Sequence, residues 1–402
     1  MSAPRETLAN PRLWLAFTTM LFVGGIGNTF PVFFPALLAE FGGSRGGTAA
    51  AASLLSVGGA ALGPLAGYLV SRWNPRLTVI LGLLATATGV VLGALAPSLP
   101  LFVLAVGVGG GIGFGLTGMA TQATLLAGTY VRRRGLAMGI AFSGSMAGYV
   151  LSAPAHWAIE QAGWRVAFAG FAAALVALIP WAWRGLPARP LAPRAPAAGS
   201  TVDAEARRVP ALGFWSACVL WTVPPLFGGL ATTQHALYFQ HLGFSADLAS
   251  AMLAVGGMLS ASGRALAGLL ADRVGAPIAG FVSFGCSLVG LACLVSLEAW
   301  PGRALAVGYV LFLFLPLGSR ATILAVLLGR ITTPATYGIV FGLLGIGNSL
   351  GAGLGPWLSG ALYDWTGSYL VIYLTSIGLA LTGVTALAVF VLTTRPSARE
   401  GW

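Results

Sequence analysis

Long apolar segments, separated by short polar or charged breaks, fill almost the whole chain. A helix needs about 20 mostly apolar residues to cross the hydrocarbon core of a bilayer. The pattern predicts twelve such helices, over 13–39, 49–71, 77–97, 101–127, 136–158, 165–184, 212–240, 248–271, 277–297, 304–328, 336–362 and 368–393. The expected fold class is therefore all-α and integral to a membrane, with twelve transmembrane helices.

One long polar interruption, rich in proline and arginine, lies in the middle of this pattern. It predicts a flexible linker outside the membrane. The expected domains are an N-terminal six-helix bundle over 1–184, a linker over 185–211 and a C-terminal six-helix bundle over 212–402.

An internal repeat supports this division into halves. Gly67-Tyr-Leu-Val-Ser-Arg72 follows the second predicted helix, and Gly268-Leu-Leu-Ala-Asp-Arg273 follows the eighth, half a chain later. A second match joins the fifth and eleventh helices: Gly139, Gly144, Gly148 and Pro154 with Gly342, Gly347, Gly351 and Pro356. Parallel repeats of this kind place a substrate site near the bilayer midplane, between the halves. The glycines favour close helix packing; the alternative is a surface along which the halves rock.

Composition and charge exclude two other classes of protein. The chain is 57% hydrophobic and only 8% charged, with mean hydropathy +0.87, whereas soluble domains carry about 25% charged residues. The net charge of +11 could indicate nucleic-acid binding, but the arginines cluster in short segments between apolar runs. This distribution is a topology signal, and no nucleic-acid partner is expected.

The arginine clusters predict the orientation. They occupy alternate polar segments, around Arg5 and Arg12, Arg72 and Arg76, Arg132 to Arg134, the linker, Arg273, Arg330, and Arg395 and Arg399. The intervening segments hold Arg45, Arg165 and Arg303. The positive-inside rule then places both termini and the linker in the cytoplasm. The first apolar run is too long for the apolar region of a signal peptide, so we expect it to be a retained first helix. The expected location is the cell inner (plasma) membrane, which the chain crosses several times.

The loops after the second and eighth helices resemble those of the major facilitator superfamily. Its pattern G-x-x-x-D-R-x-G-R-R is matched by Gly268, Asp272, Arg273 and Gly275 in the second half and by Gly67, Arg72 and Arg76 in the first. Ser71 replaces the acidic residue of the first half. The resemblance implies a gating role for Arg72, Arg76, Asp272 and Arg273. In the superfamily the acidic residue pairs with the loop arginines and helix ends, and the first half lacks this acidic residue.

Other segments resemble the monocarboxylate and oxalate–formate porters within that superfamily. The matching segments are Tyr130-Val-Arg-Arg-Arg-Gly-Leu-Ala-Met-Gly139, Gly163-Trp164-Arg165 with Phe168, and Gly263-Arg264 ahead of Ala271-Asp272-Arg273. The resemblance implies alternating-access transport of small organic anions such as lactate, by proton symport or anion exchange. It also implies that Arg264 binds the substrate carboxylate.

Two arginines fall inside predicted helices at similar depth. Arg264 lies nine residues before Arg273, and Arg320 ten before Arg330, which places each roughly 15 Å from the inner surface. An arginine at the bilayer centre costs at least about 2.5–3.5 kcal/mol, and no acidic residue occurs at matching depth. An anionic substrate would pair with a guanidinium; bracing of helix carbonyls is the alternative. If both face one cavity, a dicarboxylate is favoured; if Arg320 faces away, a monoanion is.

Further polar residues share this depth and are candidate substrate contacts. They are Gln122, Asn348, Asn28, where monocarboxylate porters often have lysine, and Ser260, where animal monocarboxylate porters carry aspartate. Each is equally explained by a helix–helix hydrogen bond.

Proton coupling needs a group that changes charge in the membrane. His235 and His156 are the candidates, because histidine titrates near neutral pH. Both lie toward the ends of their helices, where a structural role is common, so symport and exchange both stay open.

Two other functions are weaker candidates. An exporter of drugs or amphiphiles often has a membrane carboxylate, which this chain lacks. An enzyme needs a nucleophile, acid–base or metal set, and no such motif, cofactor motif or metal-ligand spacing occurs; Cys218, Cys286 and Cys293 are expected in packed apolar runs. The expected partners are a small organic anion, a proton in the symport case, and the lipid bilayer, with one chain as the functional unit.

Overall fold

The computed structural model describes residues 9–127, 129–130, 134–189, 211–328 and 334–394. Within these residues the chain is helical with no strand. We number the membrane helices α1 Pro11–Phe41, α2 Arg45–Arg72, α3 Pro75–Ala94, α4 Leu99–Leu126, α5 Leu136–Ala162, α6 Trp164–Gly185, α7 Ala211–Thr233 with its extension His235–His241, α8 Ala246–Val274, α9 Ala276–Ala299, α10 Arg303–Leu317 with Arg320–Leu328, α11 Pro334–Thr366 and α12 Tyr369–Thr393.

Nine of these helices are long and apolar enough, within the described residues, to cross a membrane: α1 to α7, α9 and α12. α8, α10 and α11 complete the twelve. The predicted all-α, twelve-helix fold class is confirmed, with helix ends a few residues from the predicted ones. Residues 190–210, most of the predicted linker, lie outside the described residues, so the domain boundaries stay a prediction.

Local sequence signals set several helix starts. The side chains of Asn10 and Asn74 accept hydrogen bonds from backbone N–H groups at the starts of α1 and α3, and a proline follows each of them. Ser44 and Ser245 cap α2 and α8 in the same way. Such caps satisfy donors that the first helical turn leaves free.

α4 and α10 are interrupted at corresponding places in the two halves. Each contains a π-helical segment, at Ala105–Gly109 and Val310–Phe314, and each breaks further along, at Gly118 and at Gly318–Ser319. Breaks at membrane depth are tolerated where other groups satisfy the freed backbone. In α10 the Ser319 hydroxyl donates to the Pro316 carbonyl at 2.6 Å.

Each half has its own apolar core. One core is built from residues of α1 to α6, including Phe33, Phe102 and Phe168. The other is built almost entirely from α7 to α12, including Phe227 and Phe314. The halves meet through α2 with α11 and through α5 with α8.

Four of the repeated glycines pack inside their own halves: Gly144, Gly148, Gly347 and Gly351. A Cβ on Gly144 would lie 2.3 Å from the Phe17 carbonyl oxygen of α1, and one on Gly351 2.1 Å from the Thr222 carbonyl oxygen of α7. The packing interpretation therefore holds for these positions, and the rocking-surface alternative fails there. Between the halves the close contacts are made by other glycines, Gly257 of α8 against Tyr149 and Gly353 of α11 against Val57.

Candidate functional site

The two ends of the bundle differ in how closely the halves meet. The linker end is where α6 ends and α7 begins; the far end holds the α1–α2, α7–α8 and α11–α12 connections. Between described residues of the two halves, hydrogen bonds and ion pairs lie at the far end or near mid-depth.

The far end is closed by a group of residues that we call the far gate: Arg45 and Gly46 of α2, and Gln234, Asp364 and Tyr369 of the C-terminal half. The Asp364 carboxylate accepts hydrogen bonds from the backbone N–H groups of Arg45 at 3.0 Å and Gly46 at 2.8 Å. The Arg45 guanidinium donates to Gln234 Oε1 at 2.6 Å and to the Tyr369 hydroxyl at 2.7 Å. A carboxylate at a helix N-terminus is favoured by the helix dipole, so the position of Asp364 at the start of α2 stabilises the closed far gate.

Toward the linker end the helices that meet at the far gate separate. On Gly67 of α2, Gly345 of α11 and Gly139 of α5, a Cβ would meet no atom of the described residues within 4 Å. At the far-gate level of the same helices, a Cβ on Gly360 would lie only 2.5 Å from backbone atoms of Arg45. Among the described residues, the close packing of α2 on α11 at the far gate is therefore not repeated at these linker-end positions.

Arg264 lies on the face of α8 that approaches α5 of the other half. It is seven residues from Gly257, which packs on Tyr149 of α5, so it occupies the same face of α8 about two turns nearer the linker end. The residue is half-buried, and its buried Nε makes no hydrogen bond with any described residue. No ion pair to it occurs within the described residues either. The stem of the side chain passes α10 of its own half, since a Cβ on Gly318 would lie 3.3 Å from Arg264 Cγ, and none of the described residues accepts a hydrogen bond from the guanidinium.

Arg320 is oriented differently. It is 4% exposed, and its guanidinium lies 4.7 Å from the Phe227 ring centroid of α7 and 5.0 Å from that of Phe284 of α9. Nη2 donates to the Ser287 hydroxyl of α9. α9 packs on α8, α10 and α12 of its own half. Arg320 therefore points into the C-terminal bundle, and the two membrane arginines do not share one cavity.

Ser260 also lies away from the space between the halves. It is fully buried, and its hydroxyl donates to the Phe314 carbonyl of α10 at 2.5 Å. Ser260 is a brace between α8 and α10, and the candidate site excludes it together with Arg320.

The amide side chains divide into braces and free groups. Gln122 is buried and donates to the Thr117 carbonyl at 2.9 Å, which satisfies a carbonyl at the Gly118 break. Asn28 donates to the Ser145 carbonyl of α5 at 2.5 Å. Asn348 is half-buried and makes no hydrogen bond with any described residue. Of the predicted amides, Asn348 on α11 is the one for which the described residues supply no hydrogen-bond partner.

The two membrane histidines sit near the far end. Both ring nitrogens of buried His235 are engaged, Nδ1 with the Tyr309 hydroxyl and Nε2 with the Ala249 carbonyl, each at 2.9 Å. Because a carbonyl only accepts, Nε2 is the protonated nitrogen, and the ring is held as a structural bridge. His156 lies between two carboxylates. A proton-coupling role for either stays a prediction.

The loop motif lies at the linker end. Arg76 donates to the Leu186 carbonyl at 3.0 Å, which joins the start of α3 to the end of α6. Arg72 and Arg273 are exposed, and the side chain of Asp272 lies outside the described part of the structure. The Ser71 hydroxyl bonds to the Tyr68 carbonyl of its own helix, so this residue does not replace an acidic latch.

Sequence reasoning misses the far gate. In the sequence, Arg45 and Asp364 are only charges on one side of the membrane. Their pairing joins residues that are far apart in the chain, and no spacing pattern signals it.

Two six-helix halves that are joined by polar contacts at one end of the bundle are the architecture of a membrane transporter that works by alternating access. The Major Facilitator Superfamily model matches residues 15–323. The chain is 30% identical over 391 residues to human "Monocarboxylate transporter 11", covering 89% of this chain and 78% of that protein. It is 28% identical over 388 residues to "Monocarboxylate transporter 13" of Bos taurus, covering 92% and 86%. The chain thus belongs to the major facilitator superfamily, in its monocarboxylate transporter-like group.

Solved structures agree on the fold. A D-xylose–proton symporter matches with TM-score 0.75 at 18% identity, covering 94% of this chain and 96% of that one. A bacterial homologue of the human lysosomal transporter Spinster, in an inward-facing and occupied conformation, matches with TM-score 0.68 at 16% identity, covering 94% of each chain. The relatives are transporters, so the chain is placed among transporters and not enzymes.

Proposed function

We propose that this transporter carries small monocarboxylates, bound through Arg264 in the space between the halves. The observation that carries the proposal is the position of Arg264 at membrane depth on the α8 face nearest α5, with a buried Nε that has no described hydrogen-bond partner. A carboxylate matches the planar guanidinium fork and would neutralise its charge.

The separation of the two arginines favours a monoanion. A dicarboxylate would gain from two guanidiniums in one cavity, but Arg320 is packed between Phe227 and Phe284 inside its own bundle. Asn348 offers a neutral hydrogen-bonding group for a second oxygen or hydroxyl of the substrate. The similarity to relatives named monocarboxylate transporters points to the same substrate class.

We further propose that the linker end faces the cytoplasm in the inner membrane, as the arginine distribution favours. The structure then corresponds to an inward-facing state, with the far gate closed toward the outside. Transport by symport or exchange would alternate this state with one in which the far gate opens.

The test is uptake of radiolabelled lactate, formate, oxalate and a C4-dicarboxylate into liposomes containing the purified protein. We expect saturable uptake of at least one monocarboxylate, lost in Arg264→Ala and kept in Arg303→Ala, which removes an exposed arginine at the far end. Background uptake of every organic anion, with flux of a neutral or cationic solute instead, would overturn the proposed substrate class and favour the exporter alternative.

A further inference from the structure

Three potential ligand side chains meet at the far end, where α5 of one half approaches α8 of the other. His156 Nε2 lies 3.2 Å from Asp247 Oδ1 and 3.4 Å from Glu160 Oε1. The three ligand atoms lie within 4.8 Å of one another. His156 and Glu160 come from one face of α5, one turn apart, and Asp247 comes from the first turn of α8.

The histidine in this cluster is buried and its nitrogen is unused. His156 is 8% exposed, and Nε2 forms no hydrogen bond of acceptable geometry with any described residue, despite two nearby oxygens. The oxygens therefore flank the axis of the nitrogen instead of lying on it. Glu160 and Asp247 are exposed, so a solvent cation can reach the cluster from the far end.

The spacing fits a metal coordination shell. Zinc binds imidazole nitrogen and carboxylate oxygen at about 2.0–2.2 Å, so neighbouring ligands of a tetrahedral site lie about 3.4 Å apart. The two nitrogen–oxygen distances, 3.2 and 3.4 Å, match this value. Two carboxylates also supply the negative charge that a divalent cation needs.

We propose that His156, Glu160 and Asp247 form a divalent-cation site, suited to Zn²⁺, that bridges the two halves at the far end. Water would complete the tetrahedral shell. Because Asp247 belongs to the C-terminal half and the other two ligands to the N-terminal half, the full ligand set exists only while the far end is closed. A bound cation then favours the closed far end, in proportion to its higher affinity for that state.

Zinc binding to the purified protein tests the site without any transport measurement. Titration with ZnCl₂ against a metallochromic chelator should show one saturable site, absent in His156→Ala. Mutation of a residue that only hydrogen-bonds to a metal ligand lowers metal affinity by about 10- to 100-fold. Removal of a ligand itself, in Glu160→Gln or Asp247→Asn, should therefore weaken zinc binding by at least about tenfold.

Two matched controls sharpen this titration. His241→Ala removes an exposed far-end imidazole, and Glu298→Gln removes an exposed carboxylate at the end of α9; both should leave zinc affinity unchanged. No saturable site in the unaltered protein, or equal affinity in Asp247→Asn, would overturn the proposal. Glu160 and Asp247 are exposed, so their variants should fold even if His156→Ala does not.

The bridging of the halves needs a second measurement. Spin labels on cysteines introduced at exposed Pro97 and Trp300 report the far-end distance, in a chain whose Cys218, Cys286 and Cys293 are replaced by serine. ZnCl₂ should shift the distance distribution toward its shorter component in this chain and leave it unchanged when Asp247→Asn is added. Equal shifts in both would show that the cation does not join the halves.

Discussion

Arg264 and Arg320 occupy nearly the same membrane depth in two neighbouring helices, yet they meet opposite surroundings. Arg264 is half-buried on the α8 face that approaches α5, and no hydrogen bond or ion pair joins it to a described residue. Arg320 is buried between two phenylalanine rings and bonded to Ser287. The contrast teaches that depth alone does not predict the surroundings of a membrane arginine, because these depend on which helix face carries it.

The largest expected effect concerns the charge at Arg264. With Arg264→Gln the protein should lose its preference for lactate over the uncharged lactamide, because removing one partner of a buried charge pair costs about 2–5 kcal/mol. That range corresponds to at least about a 30-fold loss of lactate affinity. Competition of each compound against labelled lactate in liposomes measures it. An unchanged preference would mean that another group recognises the carboxylate.

Opening of the far gate should show the next largest effect. Asp364→Ala leaves two backbone N–H groups of α2 without their acceptor, which costs about 1–3 kcal/mol if they stay buried. The far-end distance between labels at Pro97 and Trp300 should therefore lengthen. Glu40→Gln is the control, because this far-end carboxylate pairs with Arg165 of its own half. A distance distribution identical to that of the unaltered chain would show that the gate does not depend on this carboxylate.

Arg320→Met should alter transport little. Two buried nitrogens of Arg320 lack described hydrogen-bond partners, a cost of about 1–3 kcal/mol each, and two cation–π contacts worth about 0.5–2 kcal/mol each offset it. The free energy of unfolding should change by less than about 2 kcal/mol, with lactate affinity kept within about threefold. Denaturation and uptake assays measure both. Loss of lactate binding in a folded variant would return Arg320 to the substrate site.

The smallest effect is expected at Asn348. Removing a single neutral hydrogen bond to substrate in Asn348→Ala should cost about 0.5–1.5 kcal/mol. Ser349→Ala is the matched control, since the Ser349 hydroxyl bonds to the Gly345 carbonyl within its own helix. Equal affinities in the two variants would remove Asn348 from the proposed site.

Hydrophobic patterning predicted the helices closely because lipid imposes a minimum apolar length on each crossing. The same pattern could not predict the direction of Arg320. α10 breaks at Gly318–Ser319, directly before that residue, so the helical phase of the preceding segment does not extend to it. Arg264 lies within the continuous helix α8, whose phase relates it to Gly257 and hence to α5.

The polar residues at mid-depth show a second limit. Gln122, Asn28 and Ser260 share a depth with Arg264, but each bonds to a carbonyl of its own half. Whether a polar side chain binds a carbonyl or a ligand depends on which helices are neighbours. Sequence patterns along a single chain do not identify those neighbours. For the same reason, they did not predict the far gate.

The way α2 begins bears on how readily the molecule can switch. The Ser44 hydroxyl accepts a hydrogen bond from the Gly47 N–H within the same half at 3.0 Å. The N–H groups of Arg45 and Gly46 instead donate to the Asp364 carboxylate of the other half. Because this helix start lies at the end of the bundle, water can accept hydrogen bonds from these N–H groups once the halves separate there. Opening would then replace the Asp364 carboxylate with water as the acceptor. No backbone N–H of α2 would be left without a hydrogen bond inside the membrane.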